Sequence, residues 1–154
     1  MASADLTKIF DTIEYPDAYR ITYLGNAIVM PTYDAVYRDF GLARAEYILL
    51  VCLSHFDQLT AQDVARIARR PRNTISRAVH RMVDEGHLER APDPGDARQA
   101  TLKVTPSGRA LHEQISAYLV RRQEEVLSVL SKEERKTLSD ILQKTAMHVA
   151  ALDG

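Results

Sequence analysis

A single cysteine, Cys52, is all that the 154 residues contain. An internal disulfide framework is therefore excluded, and the usage fits a reducing cytoplasm. Cys52 lies in an apolar run with no cation beside it in sequence to stabilise a thiolate, so it reads as a small buried hydrophobe. No apolar stretch reaches the length of a bilayer span, and no charged segment followed by an apolar core marks a secretory signal. The expected setting is cytoplasmic, without membrane contact. The histidines at 55, 80, 87, 112 and 148 are scattered, and His112-Glu113 is adjacent rather than one helical turn apart. No metal site or cofactor is expected from such spacing. A convergent nucleophile, base or metal set is also lacking, which argues against an enzyme. There is no internal repeat and no low-complexity segment.

Net charge is −1, which taken alone argues against a nucleic-acid partner. Its distribution argues the other way. Leu59 to Arg109 holds ten Lys/Arg against six Asp/Glu, and the rest of the chain holds ten against fifteen. A basic middle between acidic ends suggests a DNA-reading lobe flanked by segments with another task.

Within that middle, Pro71 to Gly86 (PRNTISRAVHRMVDEG) reads as an amphipathic helix. Pro71 suits a first helical position and Gly86 a left-handed stop. Ile75, Val79, Met82 and Val83 make one apolar stripe. The other face carries Arg72, Asn73, Thr74, Ser76, Arg77, His80 and Arg81, with no acid in its first turns. Long cations beside short polar groups suit phosphates and base edges in a major groove; a solvated surface face is the plainer alternative.

The flanks read in order. Met1 to Glu14 is weakly patterned and is expected to be a partly ordered arm. Tyr15 to Phe40 predicts a long helix, with a kink or break at Pro31. Arg44 to Phe56 is nearly all apolar and predicts a buried helix. Asp57-Gln58-Leu59 reads as a turn. Thr60 and Asp63 have capping-box spacing for a helix running to about Arg69. His87 to Arg90 and Gln99 to Val104 alternate as strands around a turn, APDPGDAR, that carries Arg98 at its tip. Thr105-Pro106 caps a long helix, and Ser131 with Glu134 caps a last one. The apolar faces of the terminal helices exceed what a small lobe covers, which suggests a dimer.

Leu59 to Leu111 carries a helix ending in Gly86, then Leu88-Glu89-Arg90, Asp96-x-Arg98 and Thr105-Pro106-Ser107-Gly108. This succession resembles the MarR family of bacterial winged helix-turn-helix regulators. The resemblance implies a mainly α fold with a small β wing. It implies a winged helix-turn-helix lobe over residues 42–105 and helical dimerisation regions over 1–41 and 106–154. It also implies a homodimer on a pseudo-palindromic double-stranded operator, usually a repressor released by a small phenolic or aromatic acid. Redox-sensing members generally carry the reactive cysteine in the first helix, where this chain has none, so peroxide sensing is not expected.

The expected DNA-binding set is Arg72, Asn73, Thr74, Ser76, Arg77, Arg81 and Arg98. Arg77 suits a guanine edge and Asn73 an adenine edge. Thr74 and Ser76 suit phosphates, and for Arg72 and Arg81 phosphate positioning is favoured over base reading. The resemblance places Arg98 in the minor groove, with Asp96 positioning it or the wing backbone. Six of the seven tyrosines lie between positions 15 and 47. Tyr19, Arg20, Tyr23, Asn26 and His55 are the candidate effector-binding residues, against the plainer reading that the rings pack a core or dimer interface. An alternative function is a winged-helix module that contacts protein and does not bind DNA specifically.

Overall fold

The computed structural model describes residues 5–93, 95 and 100–152. By its contacts the chain divides into Met1–Leu119 and Val120–Gly154.

In the first unit, a 3-10 turn (Leu6–Lys8) leads into α1 (Ile9–Thr12), so the arm is partly helical. α2 (Pro16–Phe40) then runs as one helix through Pro31, where the sequence predicts a kink or a break, so the chain does not break there. The proline takes away the N–H that would donate to the Ala27 carbonyl, and the neighbouring Thr32 hydroxyl donates to the carbonyl of Ile28, one turn before its own position, at 3.0 Å. Gly41 ends the helix at φ +68°, its N–H on the Tyr37 carbonyl. α3 (Arg44–His55) is the central element, with Leu49, Leu50 and Leu53 fully inaccessible. α4 (Ala61–Ile67) opens with the anticipated capping box. Thr60 Oγ1 accepts from the Asp63 N–H at 3.1 Å, and Asp63 Oδ2 accepts from the Thr60 N–H at 3.0 Å. α5 (Arg72–Asp84) follows, with Pro71 as its cap rather than its first residue.

The sheet has three strands where the sequence predicts a two-stranded hairpin. β1 (Leu59–Thr60), β2 (Leu88–Pro92) and β3 (Ala100–Val104) lie antiparallel in the order β1-β3-β2. Leu59 pairs with Leu102 and Thr60 with Thr101, so the last residue of the expected turn at 57–59 and the helix cap after it form a short strand. Two residues are too few to show alternation in sequence. β2 is an edge strand, which is why it tolerates Pro92. Val64, Ile75, Val79, Met82, Leu88, Leu102 and Ile115 join the α3 leucines in one core. Ile115 belongs to α6 (Pro106–Val126), whose later residues fall in the second unit.

The second unit holds the end of α6 and α7 (Lys132–Leu152). Its junction is capped as expected: Glu134 Oε2 accepts from the Ser131 N–H at 2.8 Å and Ser131 Oγ from the Glu134 N–H at 3.2 Å. Arg135 adds a bond to the Leu127 carbonyl at 3.2 Å and a pairing with Glu124. No residue of α7 is buried.

Candidate nucleic-acid interface

α4 and α5 meet through a tight turn. Arg69 takes φ +51° there, a left-handed conformation that L side chains adopt at a cost. The Arg70 N–H reaches the Ala65 carbonyl at 2.9 Å and closes the end of α4. This is why α4 stops at Ile67, two residues short of the expected boundary.

α5 is sharply two-faced. Ile75, Ala78, Val79 and Met82 are buried, while Arg72, Asn73, Arg77 and His80 are exposed and Thr74 and Ser76 half-buried. Val83, expected in the apolar stripe, packs against that core while only partly buried. The first turn holds no acid. Asn73 Oδ1 accepts from the Thr74 N–H at 2.8 Å, so in a two-bond contact to adenine that oxygen takes a second hydrogen bond or gives up the first. Among the described residues, no hydrogen bond or ion pair holds Arg72 or Arg77.

Arg81 is placed differently from the expectation of a DNA contact. Its Nη1 lies 3.1 Å from each Glu46 oxygen, its Nε donates to Glu85 Oε1 at 2.8 Å, and its Nη2 donates to the Gly41 carbonyl at 3.0 Å. Glu46 has only 5% of its surface exposed and also accepts from the Ala43 N–H at 2.6 Å. The guanidinium thus ties α5 to the junction of α2 and α3. The physical reason is a buried carboxylate that needs a counter-charge. No local pattern signals the pair, because Glu46 and Arg81 lie 35 residues apart.

The base of the wing is locked to the start of α6. The Thr105 hydroxyl donates to the Gly86 carbonyl at 2.7 Å and accepts from the Gly108 N–H at 3.1 Å, and the Thr105 N–H donates to the His87 carbonyl at 3.1 Å. Gly108 has no room for a side chain: a Cβ there would stand 2.1 Å from the His87 carbonyl oxygen. Gly86, at φ +75°, turns the chain from α5 into the wing. Asp96 and Arg98, expected at the tip, lie outside the described residues.

Residues 40–99 match the sequence model of the MarR family. Over those residues the chain is similar to the MarR family. An uncharacterised HTH-type transcriptional regulator of Bacillus subtilis (strain 168), YybA, is 22% identical over 113 residues, covering 73% of this chain and 75% of that protein. Among solved structures, a MarR transcriptional regulator from Methanosarcina mazei Go1 superposes with a TM-score of 0.79 at 18% identity, over 88% of this chain and 97% of that one. A mutant E. coli MarR complexed with operator DNA superposes with a TM-score of 0.70 at 21% identity, over 92% and 99%. The winged helix-turn-helix fold expected from the sequence is thereby shown, and the family and its curated relatives are transcriptional regulators, not enzymes.

The effector candidates are only partly brought together. Tyr19, Tyr23 and Asn26 line one open hollow of about 310 Å³ with Thr22 and Ala27. Both tyrosines also pack on Phe10, at ring distances of 6.2 and 4.8 Å, and border a second hollow of about 600 Å³ with α1. Arg20 is outside both linings, held by Asp11 at 2.8 Å and Asp17 at 3.4 Å. His55 ends α3, its ring edge-to-face with His112 at 5.7 Å. Burial first, then the charges of His55 and Arg109, hold His112 below the usual histidine range. Tyr33 and Tyr47 pack on each other at 5.7 Å, with the Arg44 guanidinium 4.6 Å from the Tyr33 ring centre.

Burial pushes the Cys52 thiol up, as suits a core residue. Among the described residues, no cluster of three or more metal-ligating side chains occurs and no helix is long and apolar enough to cross a membrane.

Proposed function

We propose that the chain is a sequence-specific double-stranded DNA-binding regulator, acting as a homodimeric repressor on a pseudo-palindromic operator. The observation that carries this is the N-terminal face of α5: Arg72 and Arg77 exposed and unpaired among the described residues, with Asn73, Thr74 and Ser76 between them and no acid in the first turn. The likeness to an E. coli MarR in complex with operator DNA supports the same reading. In it, Arg77 takes a guanine edge, Asn73 an adenine edge, and Thr74, Ser76 and Arg72 hold phosphates. Arg98 enters the minor groove, with Asp96 positioning the wing. Arg81 is left out of the contact set because its donors already serve Glu46, Glu85 and the Gly41 carbonyl.

The dimer is supported by α7, where Ile141, Leu142, Met147 and Leu152 remain exposed, Leu152 at 70%. A small aromatic acid as effector is supported by the hollow at Tyr19, Tyr23 and Asn26, with Arg20 able to join only after leaving Asp11 and Asp17.

The test is Arg77→Ala on a duplex selected by the full chain from a random-sequence pool. A base reader loses about 1–3 kcal/mol of binding and its preference at one position. A variant that binds the selected duplex with unchanged affinity and preference overturns the assignment.

A further inference from the structure

Arg90 belongs to no expected contact set, yet the fold puts it at the DNA-facing lobe beside Arg72. It follows Leu88 by two residues in β2, so period-two alternation puts both on the face of the sheet that packs toward α5. Leu88 meets the core there, and Arg90, further along the strand and paired in register with Leu102, is exposed. Arg90 and Arg72 border one hollow of about 160 Å³, together with Gln62 and Thr60. Buried Val79 and Leu102 contribute to its lining. Among the described residues no carboxylate lines it, and no hydrogen bond or ion pair holds either guanidinium. Asp63, the acid nearest in sequence to Gln62, is engaged by Thr60 and by Arg66 at 3.6 Å.

Two cations gathered on one partly apolar hollow repel each other unless an anion sits between them, and the apolar lining strengthens both effects. We propose that this hollow seats one backbone phosphate of the DNA, with Arg72 and Arg90 as a two-sided clamp and the Gln62 amide as a third donor. The proposal rests on the DNA reading above and adds to it that the wing strand and α5 share a single phosphodiester. The seat fixes how far α5 enters the groove and reads no base.

The experiment measures anisotropy of the full chain on the selected duplex and on a scrambled one, across a salt series, for wild type, Arg72→Gln, Arg90→Gln and the double variant. Lys136→Gln, which changes net charge equally from the second unit, is the control. Each single variant is expected to flatten the slope of log K against log salt by about 0.9 per bound copy on both duplexes, with base preference retained. The double variant flattens it little further, because both side chains serve the same phosphate. A scan of neutral methylphosphonate substitutions then finds one position per half-site that weakens wild type and leaves the double variant unchanged. Slopes for Arg90→Gln that match wild type, or additive losses in the double variant, overturn the shared seat while leaving DNA binding intact. Failure of wild type to bind any selected duplex overturns the DNA reading and the seat with it.

Discussion

The helix-turn-helix lobe and α7 are built from helices of ordinary composition, yet they end in opposite states. In the lobe, α3, α5 and the sheet bury most of their apolar faces, and Leu49, Leu50, Leu53, Ile75 and Met82 have no exposed surface. In α7, nothing is buried, and Ile141, Leu142 and Met147 face solvent in the single chain. The lobe therefore carries its own stability, whereas α7 carries apolar surface that an isolated chain leaves unused. A helix with an uncovered apolar stripe is the expected remainder when a second copy supplies the other half of a core.

Core truncation separates the two regions most strongly. Leu53→Ala is expected to cost about 2–5 kcal/mol in urea unfolding. Met147→Ala is expected to cost under about 0.5 kcal/mol in dilute protein and to weaken self-association at high concentration, read by sedimentation. Equal losses in the two variants at low concentration would erase the distinction. Gly108→Ala belongs with the large effects, since its Cβ has no space beside the His87 carbonyl; a loss of about 1–3 kcal/mol or more is expected.

Next comes the strut under α5. Glu46→Ala strips the Arg81 guanidinium and the Ala43 N–H of their acceptor, and about 1–3 kcal/mol of stability should go with it. Unchanged unfolding midpoints would show that water replaces the carboxylate at no cost.

The capping box at Thr60 gives a smaller, pH-dependent effect. Hydrogen bonds from the Thr60 hydroxyl first and its N–H second, then the Arg66 charge, hold the Asp63 carboxyl below its ordinary 3.8. A depressed carboxylate contributes stability above that ordinary value and loses it as pH falls through the lowered one. Wild type should therefore lose more stability than Asp63→Asn on acidification below 3.8. Thr60→Ala should cost about 1 kcal/mol at neutral pH.

The smallest effect is a gain. Arg69 holds φ +51°, and Arg69→Gly removes the Cβ strain at some cost in unfolded-chain entropy. A net stabilisation of up to about 1 kcal/mol is expected, measured by thermal melting. A clear loss would show that the Arg69 side chain outweighs its backbone strain.

What is legible in sequence follows the range of the forces involved. Helix stripes and caps are local, so α3, α5, the Thr60 box and the Ser131 cap are readable from spacing. Leu59 reads as the end of a turn and Thr60 only as a helix cap, because their pairing with β3 lies some forty residues away. Glu46 with Arg81, and Arg72 with Arg90, are likewise products of the packed lobe, which spacing along the chain cannot reveal. Arg20 reads as an available cation, whereas in the fold α1 supplies Asp11 to hold it. Pro31 reads as a kink or a break because its cost is local, whereas α2 continues through it as one helix.

That the α5 face reads double-stranded DNA is tested most directly by anisotropy of the purified full chain. The duplexes are the DNA upstream of its own gene and the pool-selected site, each against scrambled sequence, across a salt series. A reader binds at least one of the two tightly, prefers it over its scrambled counterpart, and loses affinity on the order of a thousandfold or more from low to moderate salt. Equal, weak binding to all of these duplexes would contradict the reading and leave the winged helix to serve a protein partner.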